Sequence, residues 1–135
     1  MQEGERFMAN VLIVDDDVDG CRPLARLLEV VGHRPFFVHD GRAALALLDQ
    51  LRPDLILLDV MMPGLDGIEV LRTIRAHPRH KEIPVIVYSA LADQETVDSA
   101  LNAGAQSYLI KSKADFDHIR RVVESHLPHA EPQPR

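Results

Sequence analysis

Five short apolar runs punctuate this chain, at Val11–Val14, Phe36–Val38, Leu55–Leu58, Val85–Val87 and Tyr108–Ile110. Each is too short for a helix, and most are rich in branched or aromatic side chains, as strands are. Within a run the residues do not alternate apolar with polar. A run that is apolar throughout fits a strand covered on both faces, as in a parallel sheet. Helical spacing fills the intervals. Leu24, Leu27, Leu28 and Val31 fall at i, i+3, i+4 and i+7, and so do Ala44, Leu47, Leu48 and Leu51. Ile68, Leu71 and Ile74 mark a third helix, Val97, Ala100 and Leu101 a fourth, and Phe116, Ile119, Val123 and Leu127 a fifth.

The punctuation agrees with this alternation. Asp40 and Asp66 stand where helix N-caps are needed, and Glu69 follows Asp66 at capping-box spacing. Gly32 and Gly104 come just after helices one and four, where a left-handed residue closes a helix. Pro53 and Pro78 stop helices two and three, and Pro23 lies in the first turn of helix one. Strands alternating with helices predict an α/β fold with helices on both faces of a parallel sheet, joined by right-handed crossovers. Five such units favour a flavodoxin-like doubly wound (βα)5 fold, strand order 2-1-3-4-5, over a six-stranded dinucleotide fold. The 135 residues suit one domain. It is expected over residues 9–127, with tails at 1–8 and 128–135, the second reading PHAEPQPR.

Composition narrows the function classes. Hydrophobic residues make up 46% of the chain, enough for a packed core. A net charge of −6 argues against direct nucleic-acid binding, which needs clustered Lys and Arg. Cys21 is the one cysteine, so no internal disulfide can form and a reducing cytoplasm is the expected setting. Cys21 itself is expected to be a packed, unreactive thiol. No stretch approaches the ~20 apolar residues of a membrane span, and MQEGERFMAN has no signal core.

In an open parallel sheet, ligands bind outside the carboxyl ends of the strands. Strand one ends in Asp15, Asp16 and Asp17, strand three in Asp59, strand four in Ser89 and strand five in Lys111. Strand two ends in His39 and Asp40, off to one side. Strands one and three are neighbours in the expected order, about 4.8 Å apart, which draws Asp16 and Asp59 together. Two unit charges about 5 Å apart at an effective dielectric of about 20 repel by roughly 3 kcal/mol. Such a cluster needs a cation or raised pKa values. An all-oxygen ligand set suits a hard cation, Mg²⁺ before Ca²⁺. The Lys111 stem is long enough to reach across most of the roughly 10 Å from strand five to strand three. Any one of these residues alone is an ordinary cap or solvated charge; the joint pattern of two acids, a hydroxyl and an amine, each at its own strand end, is what points to chemistry.

The segments VLIVDDD, LILLDVMMPGLDG, VIVYSA and GAQSYLIKS resemble the landmarks of response-regulator receiver domains, and the likeness covers about residues 9–127. The resemblance implies that Asp59 is the phosphoacceptor, a carboxylate nucleophile that forms an acyl phosphate. It implies that Asp16 ligates Mg²⁺ directly, that Asp15 acts mainly through metal-bound water, and that Met61 offers its backbone carbonyl. Lys111 would meet a phosphoryl oxygen, Ser89 would swing toward the phosphoryl group, and Tyr108 would be the aromatic switch behind it. Ala90 is small enough to keep the site accessible. Phosphorylation would shift the face formed by helix four, strand five and helix five. The implied partners are a histidine kinase or histidine phosphotransfer protein upstream and a protein target downstream, with the chain a monomer or weak dimer. The chain would assist its own phosphotransfer and autodephosphorylation without being a multiple-turnover enzyme.

One position departs from the family pattern: Ser112 follows Lys111 where proline is usual. A non-proline cis bond costs roughly 3–4 kcal/mol, so a trans bond and an altered β5–α5 loop are expected. Three other patterns are set aside. Asp15, Asp17, Asp19 and Gly20 open like a calcium loop, but Arg26 stands where its closing Glu belongs. GLDG lacks the ending of a phosphate loop. His77 and His80 have no Cys or carboxylate at ligand spacing, which suggests surface or capping histidines. Three other functions compete: a phosphorylation-independent interaction module on the same fold, a Mg²⁺-dependent phosphohydrolase, and a domain cut from a longer regulator or hybrid kinase. The hydrolase of haloacid dehalogenase type needs a second acid where Met61 stands.

Overall fold

The computed structural model describes residues 8–62 and 66–127. The two expected tails lie almost wholly outside that range, as does the start of GLDG. Five strands and five helices alternate: β1 (Asn10–Val14), α1 (Arg22–Val30), β2 (Arg34–Val38), α2 (Gly41–Leu48), β3 (Leu55–Leu58), α3 (Gly67–Ala76), β4 (Val85–Ser89), α4 (Gln94–Asn102), β5 (Ser107–Ile110) and α5 (Phe116–Ser125). The strands form one parallel sheet in the order β2-β1-β3-β4-β5. This is the flavodoxin-like order expected.

The two faces of the sheet explain why the strands are apolar at every position. Leu12, Val14, Ile56, Leu58, Val85 and Val87 point into a layer with Ala44 and Leu48 of α2, Leu71 and Ile74 of α3, and Ala100 of α4. Their alternates, Val11, Ile13, Leu55, Leu57 and Ile86, point into a layer with Leu24 and Leu28 of α1 and Ile119 and Val123 of α5. Every residue of β3 is buried. Fully burying one such side chain stabilises the fold by about 1.5–3 kcal/mol. Pro35 is tolerated because β2 is an edge strand, free of a partner on one side.

Four helices begin on an aspartate in extended conformation whose carboxylate accepts from the first turn: Asp40 from the Ala43 amide, Asp66 from Ile68, Asp93 from Thr96 and Asp115 from His118. Helix α1 instead continues from a short 3₁₀ turn, Asp19–Cys21, with Pro23 in its first turn. Gly32 and Gly104 take φ of 99° and 113°, as helix-closing residues do. The expected capping box at Asp66 is only half formed, because the Glu69 carboxylate turns outward to Arg72 at 2.8 Å. The apolar spacing also over-reaches at two places. Leu101 and Phe116 are exposed, 44% and 53%, since each lies at the margin of a helix stripe facing away from the sheet.

Candidate functional site

The backbone places the chemical groups one residue past the strands. The Asp15 amide donates to the Val38 carbonyl at 3.1 Å, the Asp59 amide to Val14 at 2.9 Å, and the Lys111 amide to Ser89 at 2.8 Å. Each ladder thus runs one step beyond its strand and fixes where the next side chain leaves the sheet. Asp15 and Asp59 are buried, 2% and 6% exposed, whereas Asp16 faces solvent. Carboxylate oxygens of Asp15, Asp16 and Asp59 all lie within 4.8 Å of one another. The juxtaposition inferred from strand order is therefore present.

Hydrogen bonds aim these carboxylates. Asp59 Oδ1 accepts from the Met61 amide at 2.8 Å, and Asp15 Oδ1 accepts from the Asp17 amide at 2.9 Å. Lys111 Nζ spans β5 to β3, donating to Asp15 Oδ2 at 2.6 Å and to Asp59 Oδ2 at 3.3 Å. It also lies 5.5 Å from the centre of the Tyr88 ring. No cis peptide occurs among the described residues, so Lys111 leads into Ser112 through a trans bond, and the ammonium still reaches both acids. A turn closes the loop after β5, with the Lys113 and Ala114 amides donating to the Ile110 carbonyl. Ser89 is fully buried, and its Oγ accepts from the Leu91 amide at 3.3 Å. The Tyr108 hydroxyl donates to the Leu91 carbonyl at 2.8 Å, tying β5 to the loop after β4. Met61 exposes its side chain, 55%, and turns its amide to Asp59. Ala90 is exposed beside Ser89.

The electrostatics carry the mark of confinement. Burial pushes the Asp59 carboxyl above its ordinary value, against the opposing pull of the Met61 amide, Lys111 and the Ser89 hydroxyl. Burial works to lower the Lys111 pKa, but the hydrogen bond to Asp15 and the charges of Asp59 and Asp15 raise it overall. Burial, with Asp15 adding to it, pushes the Cys21 thiol up to about 12, so it stays protonated and inert. Three carboxylates meet one ammonium here. The donor set is all oxygen, which fits a hard divalent cation rather than a soft one.

Sequence reasoning overlooked one residue of this site. A Cβ on Gly67 would stand 2.4 Å from the Val60 Cα and 2.7 Å from the Asp59 carbonyl oxygen. The first turn of α3 therefore presses directly on the backbone that carries Asp59. The signal was a glycine at the first position of a helix, a place that seldom needs one. His77 caps α3 and accepts from the Arg79 amide, as a capping histidine does, but the reading of His80 needs correction. His80 is buried, 6% exposed, and Asp49 at the C-cap of α2 supplies the carboxylate that local spacing lacked.

A five-stranded sheet in this order, with acids at β1 and β3 and a lysine at β5 converging on its carboxyl edge, is the layout of a receiver-type fold. The family model described as response regulator receiver domain matches residues 11–124. The chain belongs to that family, whose members act in two-component signalling. The transcriptional regulatory protein ZraR of Salmonella typhimurium is 39% identical over 124 residues, 92% of this chain and 27% of that protein. The chain thus spans about a quarter of that relative's length. The Mn²⁺-bound form of response regulator Rcp1 superimposes with a TM-score of 0.78 at 31% identity, covering 94% of this chain and 99% of that one. The receiver domain of sensor histidine kinase PA1611 from Pseudomonas aeruginosa was solved with magnesium in its active-site cleft. It gives a TM-score of 0.80 at 29% identity, covering 89% and 98%.

Proposed function

We propose that Asp59 is the phosphoacceptor of this chain, served by Mg²⁺ and Lys111. One observation carries this reading: carboxylate oxygens of Asp15, Asp16 and Asp59 lie within 4.8 Å of one another while Lys111 Nζ sits 3.3 Å from Asp59. Asp15, Asp16, Asp59 and the Met61 carbonyl would hold the ion, which offsets charge on the transferring oxygens when bound. An Asp59 lone pair attacks phosphorus of a phosphohistidine on the donor protein. The P–N bond breaks, the imidazole leaves and takes up a proton, and Asp59 becomes an acyl phosphate. Lys111 exchanges part of its bond to Asp15 for a phosphoryl oxygen. Ser89 gives up the Leu91 amide to donate to another, and Tyr108 releases the Leu91 carbonyl as the loop follows.

The same reading assigns the donor as a histidine kinase or phosphotransfer protein, and the target as a protein that docks on α4, β5 and α5. The chain acts in the cytoplasm and assists its own phosphorylation and dephosphorylation without turning over a separate substrate. Among the described residues no helix is long and apolar enough to cross a membrane. The test is acetyl phosphate with Mg²⁺, followed by intact mass. Wild type gains one phosphoryl mass and Asp59→Asn gains none. A wild-type chain left unmodified would instead support the phosphorylation-independent module, and repeated turnover of a phosphomonoester would support the hydrolase.

A further inference from the structure

We propose that Asp49, His77 and His80 form a second metal site, for a borderline divalent transition ion of the Zn²⁺ class. The ligating atoms of these three residues lie within 4.8 Å of one another. The site is built from two chain segments 28 or more residues apart, the end of α2 and the loop after α3, which pack side by side over one face of the sheet. It lies at the amino edge of the sheet, opposite the phosphoacceptor.

His80 is the second, independent observation. Its side chain is only 7% exposed, yet neither ring nitrogen has a hydrogen-bond partner. Buried polar atoms are nearly always satisfied, so a buried imidazole in this state is open to ligation. Its Nε2 stands 3.5 Å from Asp49 Oδ1, near enough for an ion to bridge them. The His77 ring stacks on it, centroids 4.0 Å apart and 20° from parallel. Asp49 is the C-cap of α2 and His77 the C-cap of α3, so two helices turn their negative ends toward the same spot.

The ligand chemistry separates this site from the first. Two imidazoles and one carboxylate favour Zn²⁺ and its neighbours over Mg²⁺, which prefers oxygen alone. Tetrahedral ligands about 2.0–2.1 Å from zinc stand about 3.4 Å apart, so the cluster must tighten, and the His77 ring must turn out of its stack on His80 for both in-plane lone pairs to face one ion. Asp49 and His77 are free enough to do so, being exposed and half-buried. Two competing contacts must yield. His77 Nδ1 now accepts from the Arg79 amide at 3.0 Å, and ligation through either ring nitrogen releases that amide. The Arg79 guanidinium lies 3.5 Å from Asp49 Oδ1 and is 69% exposed, so it can swing into water. Arg52 donates to the Arg79 carbonyl and contributes a further nearby charge. With three protein ligands, water completes the shell.

The test is calorimetric titration of the full chain with Zn²⁺ in saturating Mg²⁺, paired with ¹⁵N spectra of the histidine rings. One Zn²⁺ is expected to bind per chain and to shift the ring nitrogens of His77 and His80. Asp49→Asn and His80→Gln are each expected to weaken binding by at least about tenfold, while Asp16→Asn leaves it unchanged. Asp49 is exposed, so its variant keeps the fold and still takes phosphoryl from acetyl phosphate. The proposal is overturned if no Zn²⁺ binds, if both variants keep wild-type affinity, or if Asp16→Asn abolishes binding.

Discussion

The two edges of the sheet handle charge in opposite ways. At the amino edge, Arg75 is half-buried and every part of its guanidinium is engaged. Its Nε donates to the Gly104 carbonyl at 3.0 Å, its Nη1 to Lys81 and Ile83 at 3.1 and 2.8 Å, and its Nη2 to Gln106 Oε1 at 2.8 Å. That Gln106 oxygen also accepts from the Val85 amide at 2.8 Å, locking β4 to the turn before β5. Burial lowers the Arg75 pKa without threatening its charge. At the carboxyl edge, three acids crowd one lysine and Asp59 is held above its ordinary pKa. Apart from the Asp49, His77 and His80 cluster, the amino edge commits its buried charge to binding chain segments together. The other keeps charge in surplus, as a site must if an arriving cation and phosphoryl group are to find work there.

The comparison can be broken first at Arg75. Arg75→Ala strands three carbonyls and leaves the Gln106 oxygen with the Val85 amide alone, and about 3 kcal/mol of stability is expected to disappear in urea unfolding. A loss under about 1 kcal/mol would mean water replaces the guanidinium readily. Gly67→Ala comes next. Its methyl must push backbone apart beneath Asp59, which costs about 2 kcal/mol. It is also expected to slow phosphorylation by acetyl phosphate, an effect absent from Arg75→Ala while that variant remains folded.

Asp59→Asn has the opposite sign. Removing one buried like charge is expected to stabilise the Mg²⁺-free chain by about 1 kcal/mol, a few degrees in Tm. The pH dependence follows from the raised Asp59 value. Folded Asp59 keeps its proton to higher pH than unfolded Asp59, so its own contribution to stability falls as pH climbs from the ordinary carboxylate range through the raised one. That fall should be missing from Asp59→Asn. If both proteins show the same profile between those limits, the carboxyl edge is not under the stress described. Phe116→Asn is the smallest change, expected within about 0.5 kcal/mol because the ring already meets water.

Much of this contrast is invisible in the sequence, for a reason of range. The strands are legible because both of their faces are covered, which leaves an unbroken apolar run, and the carboxyl-edge residues follow from strand order. Lys111 and Asp59 could be paired from topology alone, 52 residues apart, because the fixed strand spacing across β4 sets a distance the lysine stem can span. Arg75 and His80 could not. Their partners come from loops and helix ends, where no period fixes who meets whom. Phe116 shows the complementary limit: i, i+3, i+4 spacing reveals a stripe but not where its margin falls. Gly67 was legible as a glycine and illegible as a clearance, since only the packed backbone shows how little room remains.

Asp16 is the lone member of the acidic triad in contact with bulk water. The way in therefore passes over an exposed surface carboxylate and not through the packed layers beneath. An ion arriving there can trade its hydration shell one water at a time, with no breathing of the sheet required. If Mg²⁺ fills this site as proposed, its occupancy should follow the surrounding concentration within the dead time of mixing.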